Sequence, residues 1–252
     1  MGSAKALVVR PIGAKEASAL VRAVHYSGKV TQNSQMHMGV FWNGRLEGAM
    51  QFGPPLDKRK IGGLVSGSQW HNFIELNRMA FSEALPRNSE SRALGVAFRL
   101  LRKHAPQLAW VVSFSDATQC GDGTIYRASG FVLTGLKKNK QMLRMPDGSV
   151  VAKKTLDNPN HTGEGGRFGS RVAIDAGATP LPGYQLRYIR FLDPAWRSRL
   201  TVPEIAFSDI PAAARMYRGE MRRPEGGPGV HPGKDGASPI PPLHPTTSPD
   251  DG

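Results

Sequence analysis

VVSFSDATQCGDGTIYRASGF, residues 111–131, is the stretch whose reading decides the fold. With Trp110 in front of it, Val-Val-Ser-Phe-Ser reads as a buried strand that ends at Asp116. Thr118, Gln119 and Cys120 then form a polar loop, and Gly121-Asp-Gly-Thr opens a short helix that carries Tyr126 and stops at Gly130. Open α/β sheets place functional side chains just beyond their strand ends. A strand ending on an acid, followed by a helix bearing a phenol, therefore reads as a site as well as a scaffold.

Working outward, residues 6–10 read as a strand and Ala14 to Val24 as a helix. Ala17, Leu20, Val21 and Val24 keep the i, i+3, i+4, i+7 spacing of one buried stripe. Residues 37–42 and 46–52 flank Asn43-Gly44, a two-residue turn that accepts positive φ at both positions, and so predict a hairpin. Phe73 to Phe81 alternates like a third sheet strand. Ser89 is the expected N-cap of a helix reaching His104, with Leu94, Ala97, Phe98 and Leu101 as its apolar stripe. Downstream come a strand from Phe131, a hairpin from Leu143 to Ala152 around Asp147-Gly148, and a closing strand from Gln185 to Leu192. His161 to Ser170 is Gly-rich and expected to be a mobile loop. From about Gly219, Pro, Gly, Ser and Thr dominate without apolar periodicity. One domain over residues 1–218 and a disordered tail over 219–252 are expected.

Lys and Arg total 33 against 20 acids, a net charge of +13. Such an excess favours polyanions, because each phosphate contact releases condensed counterions. A nucleic acid is the expected partner, with Lys58, Arg59, Lys60, Lys137, Lys138 and Lys140 as candidate contacts. Further basic residues stand at Lys153-Lys154 and from Arg187 to Arg190. No run approaches the roughly 18 apolar residues of a membrane span, and the N-terminus lacks a secretory apolar core. Cys120 is the one cysteine, and no Cys/His spacing resembles a zinc site. A cytoplasmic protein is expected.

The order strand, helix, hairpin, strand, helix, strand, helix, strand resembles that of the GNAT-type acetyltransferases. The expected fold class is thus α/β, an acetyltransferase-like mixed, splayed central sheet with flanking helices. In that fold two neighbouring parallel strands diverge and the gap admits an acyl donor; residues 73–81 and 110–115 are the expected pair. Arg92-Ala-Leu-Gly-Val-Ala97 resembles the Gln/Arg-x-x-Gly-x-Gly/Ala element that binds the coenzyme A pyrophosphate. Arg87, Arg92, Gly95 and Ala97 are accordingly candidate ligands of acetyl-CoA or a related acyl donor, since backbone N–H groups at a helix start suit an anion. Alternatively, Gly95 serves only close packing of helix on sheet.

Tyr126, protonated near neutral pH, suits a proton donor to a leaving group, or else is a ring packed under the sheet. Asp116 can accept a proton, orient a base, hold a metal, or simply cap the helix. Glu75 and Asn77 share one strand face, and Arg78 takes the other unless a bulge reorients it. His25 follows the first helix and is the residue most able to change charge near neutral pH; the plain alternative is a histidine held by the helix dipole. Phe41, Trp42, Trp70 and Phe73 are candidate base stackers, or core.

HYSGK at 25–29, GVFWNGRLEGAMQFG at 39–53, IELNRMAF at 74–81 and the stretch at 111–131 together resemble the Mom family of phage DNA-modification proteins. YQLRYIRFLDPAWR at 184–197 extends the likeness more weakly. The resemblance implies an acetyltransferase-like fold and conversion of DNA adenine to its N6-methylcarbamoyl (acetamido) form, which protects phage DNA from restriction. It implies His25, Tyr26, Arg78, Asp116 and Tyr126 as the functional set and an acyl-CoA-type donor. It also implies an iron(II) ion, for which His25 and Asp116 are the candidate ligands. On the sequence, two other functions stay open: an ordinary N-acetyltransferase acting on an amine, and a non-catalytic basic DNA-binding protein. Under the first reading Asp116, Tyr126, Arg78 and His25 converge at the gap between the diverging strands, beside an adenine flipped from the duplex.

Overall fold

The chain runs β1 (Val8–Pro11), α1 (Ala14–Val24), β2 (Met36–Trp42), β3 (Arg45–Gly53), α2 (Lys58–Gly62) and β4 (Phe73–Phe81). It continues with α3 (Ser89–His104), β5 (Trp110–Asp116), α4 (Thr124–Ala128), β6 (Val132–Lys138), β7 (Met142–Arg144) and β8 (Val150–Ala152). Then follow α5 (Lys153–Leu156), α6 (Ser170–Asp175), β9 (Thr179–Pro180) and β10 (Tyr184–Phe191). This computed structural model describes residues 4–25, 27–117, 121–138, 142–157, 169–181, 183–214, 216–217 and 220–221. They fall within the first of two units, Met1–Arg222; the second, Arg223–Gly252, lies outside the described residues, as does most of the expected tail. Tyr26, Cys120, Lys140 and residues 161–168 of the Gly-rich loop also lie outside them.

Seven strands form one mixed sheet in the order β1-β2-β3-β4-β5-β10-β6. Its hairpin β2–β3 turns on Asn43 and Gly44, with φ of 48° and 79°, the positive values the dipeptide predicts. Every pairing in the sheet is antiparallel except β4 with β5, which run parallel. α1 covers one face over the β3–β4 half, where Ala17 and Val21 meet Ala49 and Ala80. α2 lies on that same face farther along, with Ile61 packed among Phe73, Trp110, Val112 and Ile189. α3 covers the other face: Leu94, Ala97, Phe98 and Leu101 are buried against Met50, Phe52, Leu76 and Val111. Leu94, Phe98 and Leu101 each contribute about 1.5–3 kcal/mol of transfer free energy, so the predicted stripe is what fastens this helix. Its N-cap is Asn88 (φ 68°), one residue before the expected Ser89, whose hydroxyl instead donates to Pro86 O.

The β4–β5 ladder is short. It pairs Phe73 with Trp110 through Leu76 with Ser113 and then stops, although β4 continues to Phe81 and β5 to Asp116. The expected splay is therefore present, with its vertex at Leu76 and Ser113. The hairpin expected at 143–152 forms as β7 and β8 but joins β9 in a separate three-stranded sheet. Leu143, Leu156 and Ala173 give that sheet its own small core with α5 and α6.

Candidate active site

At the vertex, β4 carries one extra residue. Phe52 pairs with Leu76 and Gln51 with Arg78, which leaves Asn77 as a bulge. The bulge returns Arg78 to the face of Glu75 and Gln51, the face covered by α1, so the three polar β4 side chains need not divide between two faces. Asn77 is buried, and its Oδ1 accepts from Ser34 Oγ at 3.1 Å. Arg78 Nε donates to Lys29 O (3.1 Å) and Nη1 to Asn77 O (2.9 Å), tying the strand to the 25–35 segment. A Cβ at Gly53 would stand 2.3 Å from Asn33 O and 2.7 Å from Asn77 Oδ1. Only glycine permits this approach. Three buried polar atoms here have no hydrogen-bond partner: Thr31 Oγ1, Asn33 Oδ1 and Gln51 Oε1.

His25 caps the C-terminus of α1, its N–H donating to Val21 O. Burial first, then the Arg78 cation, lower its pKa to about 4. Near neutral pH the ring is therefore neutral, which corrects both the expected titration there and the helix-dipole alternative. Nδ1 accepts from Ser27 N (3.2 Å) and contacts Ser27 Oγ (2.8 Å), so the ring proton is assigned to Nε2. Glu75 responds in the opposite direction: burial raises its pKa, while Asn77 and Arg78 partly offset the rise.

The opposite face of the vertex holds the phenol. Ser113 Oγ lies 3.3 Å from Leu76 O and 3.0 Å from Tyr126 Oη. Tyr126 stacks on Tyr188, with ring centroids 4.8 Å apart. Tyr188 Oη donates to Asp122 O at 2.5 Å, and burial, followed by Asp122, pushes its own pKa up. Gly123 (φ 74°) leaves room for that hydroxyl. Strand alternation puts Asp116 with Phe114 and Val112 on the α1 and α2 face, three residues beyond Ser113. Asp116 and Tyr126 thus lie on opposite faces of the sheet, Tyr126 at the vertex and Asp116 farther out, which corrects the expected convergence of the two side chains. An odd separation along β5 between Ser113, which meets the phenol, and Asp116 sends them to different sides. Asp116 pairs with Gln185, and Gln185 with Lys137, which places the exposed Lys137 on the same face.

A cleft of about 800 Å³ opens at the start of α3, lined by Lys5, Trp42, Pro86, Arg87, Ser91 and Arg92 among others. Gly95 lies one turn behind Ser91, with nothing within 4 Å of an added Cβ, so the close-packing alternative does not hold. Ala97 is fully buried in the core, and helix N–H groups at that depth already bond to the preceding turn. The residue match from 92 to 97 therefore cannot act as a backbone cradle. Arg87, Arg92 and the first turn of α3 are the groups that fit an anionic donor.

Iron does not fit His25 and Asp116. Among the described residues no group of three His, Cys, Asp or Glu could hold a metal ion. Nδ1 of His25 is engaged by Ser27, and the charge acting on the ring is the cation of Arg78. Of the candidate stackers, Phe73 is buried and stacks on Trp110 at 4.7 Å, which makes it core. Phe41 lies under Arg10, Trp42 lines the cleft and Trp70 is exposed. The sequence reading missed Tyr188, Ser34 and the carbonyl of Lys29. Tyr188 could have been found by alternation along 185–192; the other two are contacts across some 40 residues or more.

A mixed sheet splayed between its two parallel strands, with polar groups at the vertex and a cationic cleft at the next helix, defines an acetyltransferase-like α/β protein. Within that class, the chain belongs to the Mom protein family, whose family model matches residues 6–209. It is 33% identical over 198 residues to the methylcarbamoylase Mom of Escherichia phage Mu, covering 78% of this chain and 80% of that protein. Solved structures with a similar course include the ribosomal-protein-S18-alanine N-acetyltransferase of Escherichia coli (TM-score 0.43, 10% identity, 74% of this chain and 94% of that one). Another is a GNAT family acetyltransferase from Elizabethkingia anophelis with acetyl-CoA bound (TM-score 0.40, 12% identity, 73% and 97%). No helix among the described residues is long and apolar enough to cross a membrane.

Proposed function

We propose that the protein transfers a methylcarbamoyl (acetamido) group to the N6 amino group of adenine in double-stranded DNA. The observation that carries the reading is membership of the Mom family, at 33% identity to a phage methylcarbamoylase across most of both chains. The vertex is chemically suited to the task. Adenine N6 is a weak nucleophile because its lone pair is delocalised into the ring, so it needs a held orientation and a proton acceptor. Gln51 Oε1 and Asn33 Oδ1 are buried acceptors without a donor, and an exocyclic amino group brings two N–H donors. Glu75, its pKa raised by burial, takes the amino proton. His25, neutral with its proton on Nε2, donates a hydrogen bond to the substrate, and Arg78 holds the bulge and offers positive charge. Asp116 is the second acid on that face. From the other side of the gap, Tyr126, held by Ser113, gives its proton to the departing group.

A coenzyme A thioester whose acyl group already carries the amide nitrogen, bound with its anionic part at Arg87 and Arg92, would supply the electrophilic carbonyl carbon. The N6–carbon bond forms as the carbon–sulfur bond breaks, and the coenzyme leaves as its thiol with the proton from Tyr126. The protecting effect on phage DNA and the host-cytoplasm location follow from the same reading. To test it, the chain is expressed in bacteria, the DNA is digested to nucleosides and the adenosines are weighed. An added acetamido mass in the wild type, lost in Tyr126→Phe and Glu75→Gln, is the expected result. Unmodified adenosine alongside abundant soluble protein overturns the reading. DNA binding without modification points to a basic DNA-binding protein instead.

A further inference from the structure

Leu56 and Trp70 are the most exposed large apolar side chains among the described residues, at 79% and 74% of their surface. They bracket one connection, the segment between β3 and β4, and the exposed cations Lys58, Arg59 and Lys60 stand between them on α2. The connection is fastened by other residues, and the ring contact of Trp70 is an edge-on one with its neighbour His71 at 5.6 Å. α2 is held by buried Ile61 and by Asp57, whose side chain accepts from Lys60 N at 2.9 Å. The 69–72 turn is closed by Asn72 Oδ1 on Gln69 N at 2.7 Å, and Asn72 Nδ2 donates to Gln107 O. A rigid connection that exposes two large apolar groups beside three positive charges suits a partner that is both anionic and apolar.

The connection also sits next to the candidate site. Gly53, paired with Glu75, abuts Asn77, and Leu56 follows three residues later, within about 11 Å at 3.8 Å per residue. Trp70 precedes Glu75 by five residues, a reach of at most about 19 Å. Ile61 and Phe73 pack on the sheet face that carries Glu75 and Arg78, so α2 lies on the same face as the acid and imidazole half of the vertex.

We propose that the β3–β4 connection is a duplex-opening element: Leu56 and Trp70 wedge into the base stack beside the target adenine while Lys58, Arg59 and Lys60 grip the flanking phosphates. The inference rests on the DNA-modifying function proposed above and adds how a paired N6 becomes reachable. Apolar side chains inserted between base steps repay the cost of unstacking by admitting more contact, and an enzyme acting on a base inside a duplex must extrude it.

The test uses the full-length chain, without donor, and a set of duplexes carrying 2-aminopurine in place of one adenine in each sequence context. Binding is read by anisotropy and unstacking by 2-aminopurine fluorescence. The wild type is expected to raise the fluorescence several-fold in at least one context. Leu56→Ser with Trp70→Ala should lose most of that rise, with a loss of affinity about tenfold greater for the paired duplex than for one whose 2-aminopurine faces an abasic gap. Lys58→Ala with Lys60→Ala should instead weaken all duplexes alike and lower the salt slope of log affinity by about 2. An undiminished rise in the Leu56/Trp70 variant overturns the proposal and leaves the surface to some other occupant. A wild type that modifies adenine in cells but never unstacks 2-aminopurine overturns the wedge and leaves the proposed function standing. A wild type that neither binds DNA nor modifies it overturns both.

Discussion

Replacing His25 with Asn keeps an acceptor where Nδ1 receives Ser27 N and removes the titrating ring. In the folded protein the imidazole is held at about 4, against 6.5 ordinarily, by burial and then by Arg78. The unfolded chain therefore takes up this proton as pH falls through 6.5, whereas the folded chain takes it up only near 4. Stability attached to the neutral ring is fully present above 6.5 and drains away toward pH 4. The whole interval corresponds to about 3 kcal/mol at 1.36 kcal/mol per tenfold change. The ring is only partly buried, and solvent screening brings the expected value to about 1–2 kcal/mol. Urea denaturation of the wild type and His25→Asn at pH 7.5 and 4.5 isolates it, because every other titrating group cancels in the double difference. The wild type should lose about 1–2 kcal/mol more than the variant. Parallel pH profiles would refute the assignment of a buried, neutral His25. Arg78→Gln removes the second cause, so an NMR titration of His25 in that variant should show a higher pKa than in the wild type.

Other expectations follow from close approaches. Gly123→Ala places a methyl group 2.4 Å from Tyr188 Oη at φ 74°, and should cost about 3 kcal/mol in thermal denaturation. Gly44→Ala, at φ 79° with nothing within 4 Å, should cost only about 1 kcal/mol, and equal losses at the two positions would discount the Tyr188 contact. Gly53→Ala forces Asn33 and Asn77 apart and should abolish adenine modification while the chain stays folded by circular dichroism. Tyr126→Phe removes the hydroxyl that Ser113 meets; it should lower modification about 100-fold or more yet cost only about 1 kcal/mol of stability. A modified fraction equal to wild type in that variant would remove Tyr126 from the chemistry.

Much of the frame is written in local pattern. The stripe at 94, 97, 98 and 101 and the Asn43-Gly44 turn depend on neighbours a few residues apart and recur in the structure; the strand at 73–81 recurs too, but its alternation breaks at the Asn77 bulge. The elements that escaped the reading, α2, α5, α6 and β9, are six residues long at most, too short for a period to show. The cofactor pattern at 92–97 failed for a related reason: a spacing of residue types does not reveal that the helix already begins at Ser89 and has consumed those N–H groups.

The site was legible as a set of residue types but not as an arrangement. Sequence by itself determined the acid-ended strand, the phenol ten residues on, the basic balance and the family resemblance, since all of these reside in identity and order. Only the tertiary structure decided that Asn77 bulges, that Arg78 thereby joins Glu75 and His25 on one face, and that Tyr126 meets the vertex from the other. A bulge is set by which residue of a partner strand, more than 20 positions away, takes the next hydrogen bond, and that choice is made by the packing of both faces at once.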